Sequence, residues 1–108
     1  MKNVYFVLYG EFEYLTGGSR KFGDRVGLGW TIGEEILFLK SEPIKRLETV
    51  KARSNACLLQ LKKSDLESMA KVGLAGGRSF KADYDTLMGF LVQNYESKQK
   101  WRNDAGIL

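Results

Sequence analysis

Residues 4–9 are apolar at every position, with Val4, Phe6 and Leu8 on one parity and Tyr5, Val7 and Tyr9 on the other. That pattern predicts a strand covered on both faces. Gly10 permits a bend, and Glu11-Phe12-Glu13-Tyr14 then alternates as a half-buried strand does. Gly17-Gly18 is a turn signal. Alternation resumes from Phe22 to Trp30, where Phe22, Val26, Leu28 and Trp30 share a face with Asp24 as the exception. The other face carries Lys21, Gly23, Arg25, Gly27 and Gly29, and glycines on one side of a strand let another backbone or a ligand come close.

Further on, the pattern predicts a strand through Val50-Lys51-Ala52, a turn at Arg53-Ser54-Asn55 and a buried strand over Ala56-Cys57-Leu58-Leu59-Gln60-Leu61. Ser64 with Glu67 forms a capping box that opens a helix expected to end near Gly73. Ala75-Gly76-Gly77 reads as a flexible joint. The clearest periodic stretch follows: Phe80, Tyr84, Leu87, Met88, Leu91, Val92 and Tyr95 recur on one helical face, with Lys81, Asp85, Asn94 and Lys98 opposite. After Trp101 the tail turns polar and is expected to fray. The pattern amounts to a mainly β chain with two C-terminal helices, divided at about residue 70 within a single domain of 108 residues.

Composition narrows the chemistry. At 44% hydrophobic and 28% charged residues, the chain is an ordinary globular domain with no apolar run of membrane-spanning length. The apolar start is cut by Gly10-Glu11 and reads as a strand rather than a signal peptide, and the expected setting is intracellular and cytoplasmic. One cysteine, Cys57, rules out an internal disulfide, and a chain without histidine lacks the usual zinc ligand and triad base. Glu34 and Glu35 are adjacent rather than facing, so no acid/base pair is recognisable, and no enzymatic activity, cofactor or metal is expected. A net charge of +4 without a dense basic block favours solubility over nucleic-acid binding. Gly76-Gly77-Arg78-Ser79 has arginine where a phosphate loop needs lysine, and Val72 stands where its first glycine belongs.

One stretch does suggest a site. Gly29-Trp30-Thr31-Ile32-Gly33-Glu34-Glu35-Ile36-Leu37, closed by Arg46-Leu47-Glu48-Thr49-Val50, sets a Gly-Glu pair before a short apolar turn and a lone arginine before a strand. Backbone amides at such a turn and a bidentate guanidinium together make a small anion cradle.

These residues resemble the cyclic nucleotide-binding domain family. Val4 to Glu13 is similar to its Tyr-Phe strand and following Gly-Glu strand, Gly29-x-x-Ile32-Gly33-Glu34 to its G-x-x-F-G-E, and Arg46-Leu47-Glu48-Thr49-Val50 to its R-x-A-T-V. Asn55 to Met69 resembles its final strand and helix, so the likeness spans roughly residues 4–70. The resemblance implies an antiparallel jelly roll followed by helices, lacking the first strands of the family, with a phosphate-binding cassette between two strands. It implies Glu34 as the ribose acceptor, Arg46 as the phosphate ligand, and Gly33, Ile36, Leu37, Leu47 and Thr49 as further ligand contacts. Tyr95 and Trp101 are its two candidates for a lid over the base.

Several positions depart from the family. Ile36 stands where alanine is usual, Leu47 where a small residue or threonine is usual, and Glu48 where alanine is usual. Leu47 disfavours cGMP relative to cAMP, and Glu48 with Glu35 adds negative charge beside an anion site. Two functions are therefore expected in competition. One is a regulatory module that binds cAMP; the other is a degenerate fold serving as a structural or interaction subunit. In either, a protein partner is expected to cover the open sheet edge.

Overall fold

The computed structural model describes residues 3–17, 19–38, 48–75 and 78–106. Strand β1 (Asn3–Tyr9) lies at the centre of one antiparallel sheet, between β4 (Thr31–Ile32) and β6 (Cys57–Lys62). A second antiparallel sheet places β2 (Phe12–Thr16) between β3 (Arg20–Val26) and β5 (Glu48–Ala52). A single 3-10 turn, Glu34–Leu37, follows β4. Helices α1 (Lys63–Ala75) and α2 (Arg78–Asp104) close the chain. Among the described residues the architecture is two three-stranded sheets and two C-terminal helices, mainly β as the pattern predicts.

The double-sided apolar run in β1 has the expected consequence. Tyr5 and Val7 face a cluster made with Ile32 and Leu58 of the same sheet and with Phe12, Tyr14, Phe22, Val26 and Val50 of the other. Val4 and Phe6 point the opposite way, into a second cluster with Leu61, the 3-10 turn's Ile36 and Leu37, Leu66 and Met69 of α1, and Leu87, Met88 and Leu91 of α2. The order of layers is thus sheet, sheet, helices, with β1 in contact with both interfaces. The last two residues of β1, Leu8 and Tyr9, lie beyond this cover and are exposed.

Four local expectations change. Leu28 does not share a face with Phe22 and Val26; it sits 77% exposed at the tip of a turn closed by the Trp30 amide donating to the Gly27 carbonyl. The alternation breaks earlier, because Phe12 pairs with Val26 but Tyr14 with Phe22, so β3 carries two extra residues as a bulge around Gly23. Glu13, expected on a solvent face, is buried and held between Lys21 at 3.3 Å and Arg53 at 3.5 Å. Cys57 is half-buried opposite Tyr9 rather than deep in a core.

Helix α2 differs most. It does not fray after Trp101 but continues to Asp104. Lys81 and Asp85 are exposed as expected, yet Asn94 and Lys98 are buried. The helix docks through the stripe Leu87, Leu91, Asn94, Lys98 and Arg102, at steps of three and four, so its apolar face simply continues in polar residues.

Candidate functional site

The site forms where the C-terminal half of α2 meets the edge of β4. In an antiparallel pair, an edge strand leaves every second residue's N–H and C=O pointing away from its partner. Thr31 is such a residue, and α2 meets both of its groups. The Thr31 amide donates to Asn94 Oδ1 at 3.1 Å, and Lys98 Nζ donates to the Thr31 carbonyl. Asn94 is itself oriented by its Nδ2 donating to the Phe90 carbonyl at 2.9 Å. Side chains of a helix thus do for β4 what a neighbouring strand would do.

Gly33 directs the chain from β4 into the 3-10 turn with φ of 82°, a left-handed conformation that side chains disfavour. A Cβ there would also lie 2.9 Å from the Asn3 carbonyl oxygen. Gly33→Ala is expected to destabilise the fold by about 1–2 kcal/mol from backbone strain alone, and chemical denaturation measures it. The turn that Gly33 sets up buries both acids that follow.

Glu34 has no exposed surface, and its Oε1 lies 2.5 Å from Lys98 Nζ, which is equally buried. Lys98 Nζ also sits 5.1 Å from the centre of the Tyr14 ring, a cation–π distance. Burial pushes the Glu34 carboxyl up and the Lys98 ammonium down from their ordinary values, and the attraction between the two only partly offsets it. The Tyr14 phenol is raised, first by burial and then by Glu34 and Glu35. Its hydroxyl and Glu34 Oε2 have no hydrogen-bond partner among the described residues.

One helical turn on, Arg102 grips Glu48 with Nε to Oε2 at 2.7 Å and NH2 to Oε1 at 2.9 Å, a bidentate pair. Its NH1 donates to Gln99 Oε1 at 2.8 Å, and NH2 lies 3.9 Å from Glu35. Burial alone would lower the Arg102 pKa, but the hydrogen bonds to Glu48 and the charges of Glu48 and Glu35 raise it. Beside it, the Trp101 indole lies 5.3 Å from Trp30, centre to centre, and 6.3 Å from Tyr14 in an edge-on arrangement. Gly23 makes room for it: a Cβ there would fall 2.3 Å from the ring. The close approach that glycine-rich strands allow is here made by the chain's own tryptophan.

The residues expected to contact a nucleotide are therefore distributed in three ways. Gly33 and Glu34 are brought to the site, with Glu34 engaged by Lys98. Ile36 and Leu37 pack their side chains into the helix-side cluster, and the Ile36 amide donates to the Gly33 carbonyl at 3.3 Å. Thr49 is exposed on β5 opposite Leu15. Arg46 and Leu47 lie outside the described residues. Of the two lid candidates, Trp101 is at the site, while Tyr95 stacks on Phe38 at 4.9 Å.

Asn94, Lys98, Gln99, Arg102 and Tyr14 were not singled out by sequence as site residues. Their signal lay in the four-residue spacing of Asn94, Lys98 and Arg102, in line with Leu87 and Leu91. Chemically, the arrangement is three carboxylates, Glu34, Glu35 and Glu48, neutralised in part by two cations from one helix. Among the described residues no group of acidic or cysteine side chains is placed to hold a metal ion. No family model, curated protein or solved structure matches the chain. Among the described residues, no helix is long and apolar enough to cross a membrane.

Proposed function

We propose that this chain is a non-enzymatic module of cyclic nucleotide-binding type, a jelly roll whose nucleotide position is occupied by its own C-terminal helix, serving as a structural or interaction subunit. The observation that carries this reading is the Lys98 ammonium 2.5 Å from Glu34, the carboxylate the family resemblance assigns to the ribose. A ribose hydroxyl reaches Glu34 only if Lys98 withdraws. Glu35 and Glu48 add to the obstacle, since a cyclic phosphate arriving there meets like charge. In this reading a protein partner adds to the outer side of β6. Among the described residues that strand pairs only with β1, and its Leu59 is 55% exposed. A cytoplasmic setting accords with the free Cys57 thiol.

Titration calorimetry of cAMP, then cGMP, into the folded chain tests this. The expected result is no heat and no thermal stabilisation from either. Micromolar binding of cAMP that disappears in Arg46→Ala would overturn it. Such binding would also show as about 2.7 kcal/mol of stabilisation at a hundredfold excess over the dissociation constant.

A second reading, a regulatory module binding cAMP in preference to cGMP, is favoured by the positive φ of Gly33 where the resemblance begins its cassette. In that case α2 swings away on binding. Glu34 then takes the ribose and Arg46 the phosphate, with Gly33, Ile36, Leu37, Leu47 and Thr49 around them and Trp101 or Tyr95 over the base.

A further inference from the structure

The hollow beneath α2 has a chemistry of its own, independent of nucleotides. It is lined by Glu34, Glu35 and Glu48, by the outward-facing N–H and C=O of Thr31, and by a slot over Gly23 beside Trp30. Its ligand must therefore offer cations at the spacing of those carboxylates, an acceptor for the Thr31 amide and a flat ring for the slot. The chain's own α2 meets all of these, with Asn94, Lys98, Trp101 and Arg102 on a single helical face.

The way α2 is held matters as well. Its C-terminal half is fixed by charge and hydrogen bonds through Asn94, Lys98 and Arg102 and by the rings of Trp101 on Trp30 and Tyr95 on Phe38. Water compensates part of what is lost when buried ions separate, and the apolar contacts of Trp101 are restored when an identical helix takes its place. The helix is 27 residues long, about 40 Å at 1.5 Å per residue. Over residues 81–86 five of six side chains are exposed. Between that exposed part and the docking half, Leu87, Met88 and Leu91 pack into the helix-side cluster, so an exchange carries them to the partner copy as well.

Going beyond the function proposed above, we propose that the carboxylate-lined hollow is a receptor for a basic helix, and that α2 of a second copy of this chain occupies it in a reciprocally exchanged dimer. Each hollow is completed by the partner copy's α2, with the same contacts that the closed chain makes within itself. Identity of the contacts is what favours a second copy over an unrelated basic helix.

Charge reversal at one pair tests this. In Glu48→Arg, residue 48 repels Arg102 of the same chain; in Arg102→Glu, residue 102 repels Glu48. When the two variants are mixed, exchange of α2 makes both hollows complementary. The expected result, by light scattering and native mass spectrometry, is a one-to-one species of twice the chain mass that neither variant forms alone. If the single variants are unfolded, the mixture should regain both helical signal and dimer mass.

A mixture that stays unassociated, while the double variant Glu48→Arg/Arg102→Glu folds, overturns the proposal. Dimers formed equally by each single variant also overturn it, because they place the contact on another face. Should the double variant fail to fold, the wild-type chain decides. Isotopically labelled and unlabelled chains held together at high concentration should yield dimers of mixed mass, and none overturns the exchange. None of these readouts depends on a nucleotide, so failure here leaves the functional proposal to its own titration.

Discussion

Replacing Lys98 with methionine is expected to cost about 3–5 kcal/mol of folding stability, because it leaves the Glu34 carboxylate buried with no countercharge. The double variant Lys98→Met/Glu34→Gln should recover part of that loss, since no buried charge is left uncompensated, while the Thr31 carbonyl still lacks its donor. Denaturant unfolding of wild type, both single variants and the double variant gives the coupling directly. Near-additive losses would show that the two groups do not act as a pair.

The same pair sets a pH signature. Burial raises the Glu34 pKa in the folded state above the ordinary value of 4.5. The folded chain therefore holds this proton more tightly than the unfolded chain, a contribution fully present below 4.5 and lost as pH rises through the folded value. In Lys98→Met that dependence has no offset from the ammonium. Its deficit relative to wild type should shrink as pH falls toward 4.5, and a constant gap across that range would refute the assignment.

The second large effect belongs to Trp101. Trp101→Ala removes the ring that joins α2 to Trp30 and Tyr14 and should cost about 3 kcal/mol or more. Gly23 provides the control. Gly23 has φ of 66° and no room for a Cβ beneath the indole, so Gly23→Ala should be severe in wild type. In the Trp101→Ala background only the backbone strain remains, about 1–2 kcal/mol. A cost that does not change between backgrounds would mean that the ring is not what Gly23 accommodates.

Much of the fold was legible because its signals are local. Six consecutive apolar residues in β1 reported cover on both faces, and the glycines at 10 and 17 reported the turns that join strands. What escaped depends on partners distant in sequence. Asn94 and Lys98 read as a solvent face because a polar residue in an amphipathic pattern is assigned outward, and nothing local says that Thr31 and Glu34 wait on the inner side. Leu28 differs for a local reason: β3 ends at Val26, and the turn closed by the Trp30 amide on the Gly27 carbonyl carries Leu28 out of the sheet. The cassette-like stretch stands out in the sequence, as does the excess negative charge of Glu48 and Glu35 beside it. The helix that supplies the matching cations does not, since Lys98 and Arg102 lie in what reads as a polar face and a fraying tail.

The contact between Trp30 and Trp101 has a practical corollary. The chain contains two tryptophans, and both lie at this junction, with Tyr14 alongside. Ultraviolet emission and near-ultraviolet dichroism thus report on the seating of one helix, while far-ultraviolet dichroism follows the backbone as a whole. An event that lifts α2 while the strands persist will be visible as a change in colour and polarisation, without attaching a dye.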